Sequence, residues 1–287
     1  MTAAVTTADA LPDGPADLRL VVADMDGTLL DEHGRVPDGL WPLLDRMRER
    51  GVVFVPASGR QYATLLRDVA HAAEGMPIIA ENGSYVVRDG VELSSDMLGA
   101  DFVRSVVLAL RALAEAGADL GVVVCGKRSA YIERTDRPFL DEAERYYAAL
   151  QPVADLLAIG DDVLKIAVYD FGNAERDTAP HLTRFHDGTH RVVVSGPHWI
   201  DLMSATADKG AAVRRLQAEL GITAAQTAVF GDYLNDLEML DAADLSFAMA
   251  DAHPEVLRRA RYRAPSHRDH GVVTVLEHLL GPDPMAL

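Results

Sequence analysis

Two aspartates separated by one residue follow a short apolar run near the start of the chain. Residues 18–23 precede Asp24 and Asp26. One carboxylate of such a pair can attack phosphorus and form an aspartyl phosphate. The other can protonate the leaving oxygen and then take a proton from water. Gly27 permits a tight turn, and the Thr28 hydroxyl can hold that turn or contact a phosphate. An acidic surface turn that ends a strand explains this segment alone about as well.

Two further clusters could bind and neutralise an anion. Ser58 and Gly59 follow an apolar segment, and a hydroxyl with backbone N–H groups at a helix start can hold a phosphate. Arg60 can touch the substrate or pair with a neighbouring acid. Lys209 opens a predicted helix and can neutralise both a phosphate and an attacking carboxylate. Taken singly, these residues also fit an ordinary helix cap and a solvated surface lysine.

The fourth cluster supplies candidate metal ligands. Asp232 directly follows an apolar run, and Asn235 and Asp236 lie within the next helical turn. Mg²⁺ prefers oxygen ligands, takes few of them from the protein and keeps several waters. Asp24, the backbone carbonyl of Asp26 and Asp232 would form such a partial shell, so Mg²⁺ is the predicted cofactor. Helix capping is the alternative explanation for this cluster.

The elements around the four clusters alternate between apolar strands and helices. Strands are predicted at about 18–23, 52–55, 77–80, 227–230 and 246–249, and helices at about 40–50, 61–74, 209–220, 234–241, 254–260 and 271–280. This alternation predicts a parallel α/β sheet. Because ligands bind at the carboxyl ends of strands in open α/β sheets, the clusters are expected to meet at one edge. Together they form a complete set for phosphoryl transfer.

The middle of the chain has a different rhythm. Strands are predicted at about 85–87, 91–93, 120–125, 129–133, 163–169, 190–195 and 199–203, with helices near 100–116, 138–149 and 173–186. Paired strands with interposed helices indicate a separate α+β unit. The predicted organisation is a disordered tail at 1–16, a discontinuous catalytic core at 17–84 and 205–287, and an inserted unit at 85–204.

The charge balance limits the classes of partner. The 287 residues include 27 basic and 44 acidic residues, which gives a net charge of -17. Such a surface repels nucleic acid and anionic membranes, so neither is an expected partner. A phosphorylated substrate would be repelled too, so its site must carry local positive charge. The single cysteine excludes an intrachain disulfide, and the first 16 residues lack the basic start of a secretory signal. We expect a cytoplasmic protein.

These residues resemble the motifs of the haloacid dehalogenase (HAD) superfamily, and within it the Cof-like sugar phosphatases. The resemblance rests on DMDGTLL at 24–30, ASGR at 57–60, DKG at 208–210 and GDYLND at 231–236. It covers nearly all of the chain beyond the tail. It implies a Rossmann-like parallel-sheet core and identifies the inserted unit as a cap that closes over the site and selects the substrate. Asp201 matches a position that is often acidic in this family and faces the site.

The resemblance also implies a role for each motif. Asp24 would be the nucleophile and Asp26 the acid/base. The implied metal ligands are Asp24, Asp26 and Asp232, and Asp236 would support the metal without binding it directly. The implied phosphate contacts are Thr28, Ser58, Gly59, Arg60, Lys209 and Asn235.

The predicted function is Mg²⁺-dependent hydrolysis of a small phosphorylated metabolite, either a sugar phosphate or a phosphorylated cofactor, by a monomer or small homo-oligomer. A phosphomutase would use the same first steps but return the phosphoryl group to a sugar. A non-catalytic binding or regulatory protein on the same scaffold is the alternative from another class. Every reacting position is occupied by the residue that the chemistry needs, which argues against that alternative.

Overall fold

Two β-sheets organise the part of the chain that the structure describes. The computed structural model describes residues 11–12 and 17–282. In chain order the strands are β1 (Leu20–Asp24), β2 (Val53–Ala57), β3 (Pro77–Ala80), β4 (Tyr85–Arg88), β5 (Val91–Ser95), β6 (Leu120–Gly126), β7 (Ala130–Ile132), β8 (Leu150–Pro152), β9 (Val163–Asp170), β10 (His190–Val194), β11 (Trp199–Ser204), β12 (Thr227–Gly231), β13 (Leu245–Met249) and β14 (Tyr262–Ala264). The larger sheet has the order β14-β13-β12-β1-β2-β3-β4-β5, and the smaller sheet has the order β10-β11-β9-β6-β7-β8.

Helices pack against both sheets. They are α1 (Leu40–Glu49), α2 (Tyr62–Asp68), α3 (Ala100–Glu115), α4 (Arg137–Tyr146), α5 (Ala179–Leu182), α6 (Lys209–Leu220), α7 (Leu237–Leu240), α8 (Pro254–Arg259) and α9 (Gly271–Leu280). Within residues 11–12 and 17–282, no helix combines the length and the apolar character of a membrane span.

The centre of the larger sheet is parallel, as predicted. β1 lies between β12 and β2 and pairs in parallel with both. All five residues of β1 are buried, and so are those of β12, which explains why both read as continuous apolar runs. The carboxyl ends of β1, β2 and β12 therefore lie side by side. The α/β fold class is confirmed.

The hairpin β4–β5 differs from the prediction. It was expected to begin the inserted unit, but β4 pairs with β3 in antiparallel register and so extends the larger sheet. The physical reason is the short turn at Glu81–Gly83, because a short turn suffices to join antiparallel neighbours, whereas a parallel crossover needs a dozen or more residues. We therefore propose that the inserted unit begins after residue 95 rather than at residue 85, and that it ends near residue 204 with β11.

Other predicted elements differ in extent. The helix expected at 173–186 consists of a wide turn at Ala174–Thr178, the short α5 and a 3₁₀ turn at Thr183–Phe185. Pro180 at the start of α5 explains the break, because proline fits the first helical turn but interrupts a longer helix. The helix expected at 138–149 ends at Tyr146, and the three-residue strands β8 and β14 were not predicted.

The predicted tail lies outside the described residues, apart from positions 11 and 12. Leu11 packs against the hydrophobic core of the larger sheet. The Pro12 carbonyl is hydrogen-bonded to the Nε2 atom of His278 in α9, at 2.8 Å. These two residues therefore contact the folded core.

Two side chains bind the unit that carries the smaller sheet: Gln61, which precedes α2, and Thr64 within α2. Gln61 donates to the Ala149 carbonyl and accepts from the Ala149 N–H, both at 2.9 Å. Thr64 donates to the Tyr146 carbonyl at 2.9 Å and accepts from the Ala148 N–H at 3.0 Å. Both side chains are buried, so these bonds are shielded from water. They hold the smaller-sheet unit above the carboxyl ends of β1 and β2.

Candidate active site

The N-terminus of α6 lies beside the carboxyl ends of β1 and β12. Asp208 caps α6 by accepting from the Ala211 N–H at 2.6 Å. The turn at 81–83, which connects β3 and β4 of the larger sheet, packs directly against this cap. A Cβ added to Gly83, which has a φ of +94°, would lie 2.4 Å from the Asp208 carbonyl oxygen. Only glycine permits both this backbone conformation and this approach, which brings Lys209 beside the end of β1.

A buried ammonium group lies at the centre of the site. Lys209 is fully buried, and its Nζ contacts one carboxylate oxygen of Asp24 and lies 2.7 Å from the Asp236 Oδ1. The second oxygen of Asp236 accepts from the backbone N–H groups of Asp232 and Tyr233, at 3.0 and 3.2 Å. Asp236 thus fixes Lys209 on one side and the loop after β12 on the other.

Burial changes the protonation behaviour of this cluster. Burial raises the pKa of Asp24, the Lys209 ammonium opposes that rise, and the charges of Asp236 and Asp232 add to it. Burial also raises the pKa of Asp232 to about 7, with a further rise from Asp236. For Lys209, burial lowers the pKa, but Asp236 and Asp24 outweigh it and the pKa lies above its ordinary value. Three carboxylates therefore lie near one ammonium that contacts two of them, and with all three ionised the cluster has excess negative charge.

The cluster has the donor set of a divalent metal site. Asp24, Asp232 and Asp236 each offer a carboxylate oxygen, and these atoms lie within 4.8 Å of one another. Hard oxygen donors suit Mg²⁺, and a cation would offset the charge excess. Gly27 is needed for this arrangement, because a Cβ there would lie 2.4 Å from the Asp232 Oδ2. The residues present fit the predicted metal.

Two predicted residues, Thr28 and Arg60, have partners that the sequence left open. Thr28 is buried, and its hydroxyl donates to the Asp232 Oδ1 at 3.2 Å, so it holds a candidate metal ligand rather than facing the cavity. Arg60 pairs with two acids: its Nε lies 2.8 Å from the Asp26 Oδ2, and its Nη1 lies 3.0 Å from the Asp68 Oδ2. Of the two readings for Arg60, the structure shows the pairing with a neighbouring acid.

A cavity of about 460 Å³ opens above the carboxylates, between the two sheets. The larger-sheet side of its lining contains Asp24, Asp26, Ser58, Gly59, Arg60, Asn82, Asp232, Tyr233 and Asn235. The smaller-sheet side contains Tyr146, Tyr147, Lys165, Ser195, Gly196, Pro197, Trp199 and Asp201. A larger concavity of about 750 Å³ lies at the edge of the smaller sheet, but none of the predicted site residues lines it. We therefore place the chemistry in the first cavity.

Several residues of this site were not predicted. Asn82 accepts a hydrogen bond from the Asn235 side chain at 3.1 Å and so connects the turn after β3 to the loop after β12. Lys165 reaches the cavity from β9 and is buried. One signal could have identified Lys165: it is the only charged residue in the run VLKIAVY, and a lysine inside a buried strand requires a partner.

The fold and the site together define a class: a Rossmann-like α/β protein with a carboxylate–lysine centre under an inserted covering unit. A family profile described as haloacid dehalogenase-like hydrolase matches residues 21–276. The chain belongs to this family, and the resemblance inferred from the motifs is confirmed.

Curated relatives of the chain are named as phosphatases. One is the 5-amino-6-(5-phospho-D-ribitylamino)uracil phosphatase YbjI of Escherichia coli, which is 33% identical over 92% of this chain and 96% of its own length. An HMP-PP phosphatase of Cronobacter sakazakii is 27% identical over 83% of this chain and 86% of its own length. The chain is therefore an enzyme of the phosphoric monoester hydrolase class.

A solved structure confirms the fold independently. A haloacid dehalogenase-like hydrolase from Bacteroides thetaiotaomicron superposes with a TM-score of 0.81 at 23% identity, over 91% of this chain and 98% of that protein. At this identity the similarity concerns the fold alone.

The shifted pKa of Asp232 predicts a pH-dependent stability in the metal-free protein. Its folded-state pKa of about 7 exceeds the ordinary 3.8, so its contribution to stability is present at low pH and is lost as the pH rises through about 7. In EDTA, Asp232→Asn should therefore raise the melting temperature relative to wild type at about pH 8 but change it much less near pH 4. Thermal melts across this range measure the difference.

Added Mg²⁺ provides the control for this experiment. Wild type should gain stability from the ion and the Asp232→Asn variant should gain less, because a ligand stabilises only the state that binds it. A variant that is less stable than wild type in EDTA at every pH would contradict the account.

Proposed function

We propose that this enzyme is a Mg²⁺-dependent phosphatase that passes a phosphoryl group from a small metabolite through Asp24 to water. One observation carries the proposal: the Asp24 carboxylate faces the cavity while the buried Lys209 ammonium contacts it from behind. A lysine in this position opposes the rise in the Asp24 pKa that burial causes, and so favours the charged, nucleophilic form of the carboxylate. It also offsets the charge that an approaching phosphate would add.

The other residues support two successive transfers. In the first step an Asp24 oxygen attacks phosphorus, the bond from phosphorus to the leaving oxygen breaks, and Asp26 donates its proton to that oxygen. In the second step Asp26 takes a proton from water, the water oxygen attacks phosphorus, and the bond to Asp24 breaks with release of phosphate. Asp26 suits this role because its side chain is exposed to the cavity and can exchange protons with solvent.

The predicted metal would be held by Asp24, Asp232 and the backbone carbonyl of Asp26, with Asp236 beside it. When bound, Mg²⁺ polarises phosphoryl oxygens and neutralises part of their charge. Ser58, Gly59 and Asn235 line the cavity and are the proposed phosphate contacts.

The cavity favours a monophosphate with an uncharged leaving group. Both cationic side chains in its lining are already paired: Arg60 with Asp26 and Asp68, and Lys165 with Glu81 and Asp201. A second phosphate would therefore meet no free cation among the lining residues that the structure describes. This argues against the phosphomutase alternative, which requires a bisphosphate.

Aromatic and acidic side chains further define the leaving group. Two exposed aromatic side chains of the described chain, Tyr146 and Tyr233, line this cavity, together with Trp199 and the Asp201 carboxylate. Aromatic faces pack against rings, and a carboxylate accepts from N–H and O–H groups. The name of the Escherichia coli relative describes a uracil with a phosphoribitylamino chain, which has both features. We propose this chemical class of substrate.

The function is tested by phosphate release from a panel of phosphorylated metabolites, with Mg²⁺ and with EDTA. Asp24→Asn should abolish release while preserving the melting temperature within a few degrees, because it removes the nucleophile but keeps the shape. Asp45→Asn is the matched control, since Asp45 is an exposed residue of α1 and should retain wild-type rates. Wild-type rates in Asp24→Asn, or full activity in EDTA, would refute the mechanism.

Substrate selection is tested with Asp201→Asn. Wild type should prefer 5-amino-6-(5-phospho-D-ribitylamino)uracil over fructose 1,6-bisphosphate. The variant should lose about tenfold or more in kcat/KM for the uracil compound, because a hydrogen bond to a charged acceptor is worth ~1.5–3 kcal/mol. Its kcat/KM for the bisphosphate should fall less or rise. Equal losses on both substrates would show that Asp201 does not select the leaving group.

We further propose a cytoplasmic location and a monomeric or small homo-oligomeric state. The net charge of -17 supports this by favouring solubility over nonspecific association. Size-exclusion chromatography with light scattering tests the oligomeric state.

A further inference from the structure

A second buried lysine connects the two sheets. Lys165 lies on β9 of the smaller sheet, and its side chain is 4% exposed. Its Nζ lies 2.7 Å from the Glu81 Oε2 and donates to the Gly59 carbonyl at 3.2 Å. Asp201, on the neighbouring strand β11, lies 3.6 Å away. Glu81 and Gly59 belong to the larger-sheet unit, so the lysine bridges the two units.

The two turns that Lys165 contacts are bonded to each other. The Glu81 N–H donates to the Arg60 carbonyl at 3.1 Å, and the Asn82 N–H donates to the Ser58 carbonyl at 2.9 Å. The turn at 58–60 contains the proposed phosphate contacts. A movement of the turn at 81–83 would therefore move the phosphate-binding turn with it.

The same turn also orients the proposed acid/base. Arg60 directly follows Gly59, and its guanidinium holds the Asp26 carboxylate while it is itself braced by Asp68. A continuous set of contacts thus runs from Lys165 through the Gly59 carbonyl and Arg60 to Asp26.

The conformation and burial of Glu81 are energetically unfavourable, and the ion pair with Lys165 compensates for the buried charge. It has a φ of +50°, a left-handed conformation that a residue with a side chain adopts at an energetic cost. Its side chain is 1% exposed, and within the described chain neither carboxylate oxygen has a hydrogen-bond partner of good geometry, so the close ion pair with Lys165 balances its charge. An unbalanced carboxylate would be strongly unfavourable at this degree of burial.

We propose that Lys165 is a positioning residue that aligns the phosphate-binding turn and Asp26 when the smaller-sheet unit covers the site. This inference rests on the proposed function. Because the lysine comes from the covering unit and its partners come from the core, the full set of contacts exists only in the covered arrangement. Proton transfer by Asp26 is thereby coupled to exclusion of bulk water.

Kinetics separate this role from direct substrate binding, which is the other role open to a residue that lines the cavity. Loss of a binding contact raises KM at unchanged kcat, whereas loss of alignment lowers kcat. Lys165→Met should lower kcat about tenfold or more, since small misplacements of reacting groups are costly. Its KM should change less than about threefold. The assay uses the best substrate of the panel and p-nitrophenyl phosphate.

Lys127→Met is the matched control. Lys127 also comes from the smaller-sheet unit and also pairs with a glutamate of the larger sheet, because its Nζ lies 2.9 Å from the Glu92 Oε2. It does not line the cavity or contact the 58–60 turn. Its loss should leave kcat and KM within about twofold of wild type, as is usual for a pair far from the chemistry.

Glu81→Gln provides a second test that cannot be explained by a lost substrate contact, because Glu81 does not line the cavity. It should lower kcat in the same direction as Lys165→Met, and it decides the question if Lys165→Met fails to fold in thermal melts. The inference is overturned if folded variants retain wild-type kcat, or if Lys165→Met raises only KM. Failure of the proposed function would look different, because wild type itself would release no phosphate or would not depend on Asp24.

Discussion

The structure depends on one buried ion cluster, in which the Lys209 ammonium lies between the carboxylates of Asp24 and Asp236. Removing the Lys209 ammonium would leave two carboxylates in the interior without a counter-charge, and an uncompensated buried charge typically costs about 3–5 kcal/mol. The parallel strands β1 and β12 bring the two carboxylates together, and α6 delivers the lysine. Gly83 and Gly27 allow the surrounding turns to approach closely enough. The strands β1 and β12 and the helix α6 therefore share one role, which is to bring these opposite charges together in the interior.

This cluster explains how an acidic protein can hold an anionic substrate. The net charge of -17 repels phosphate at long range, but Lys209 and the proposed Mg²⁺ would supply positive charge where the phosphoryl group reacts. Lys209 lies beneath the reacting carboxylate. Arg60 and Lys165 line the cavity, and both are already neutralised by acidic partners. We infer that the reacting phosphoryl group is favoured only on the Asp24 side, while the remainder of the cavity accepts an uncharged group.

Much of the site was predictable because its motifs are local. Asp24 and Asp232 each adjoin the end of an apolar run, and parallel strands must bring such ends to one edge. The partners of Thr28 and Arg60 were not predictable, because they depend on side-chain directions across different segments. Lys165 was missed for a related reason: its partners are distant in the sequence. The β4–β5 hairpin was assigned to the wrong sheet because alternating residues indicate a strand but not its neighbour.

The central claim is that Asp24 carries the phosphoryl group, and a trapped intermediate tests it most directly. With p-nitrophenyl phosphate the leaving group needs no proton, so Asp26→Asn should slow the attack of water more than the first step. Acid quenching followed by peptide mass spectrometry should then find a phosphoryl group on Asp24, together with a burst of nitrophenolate. Turnover with an unmodified Asp24, or a phosphoryl group on another residue, would contradict the account.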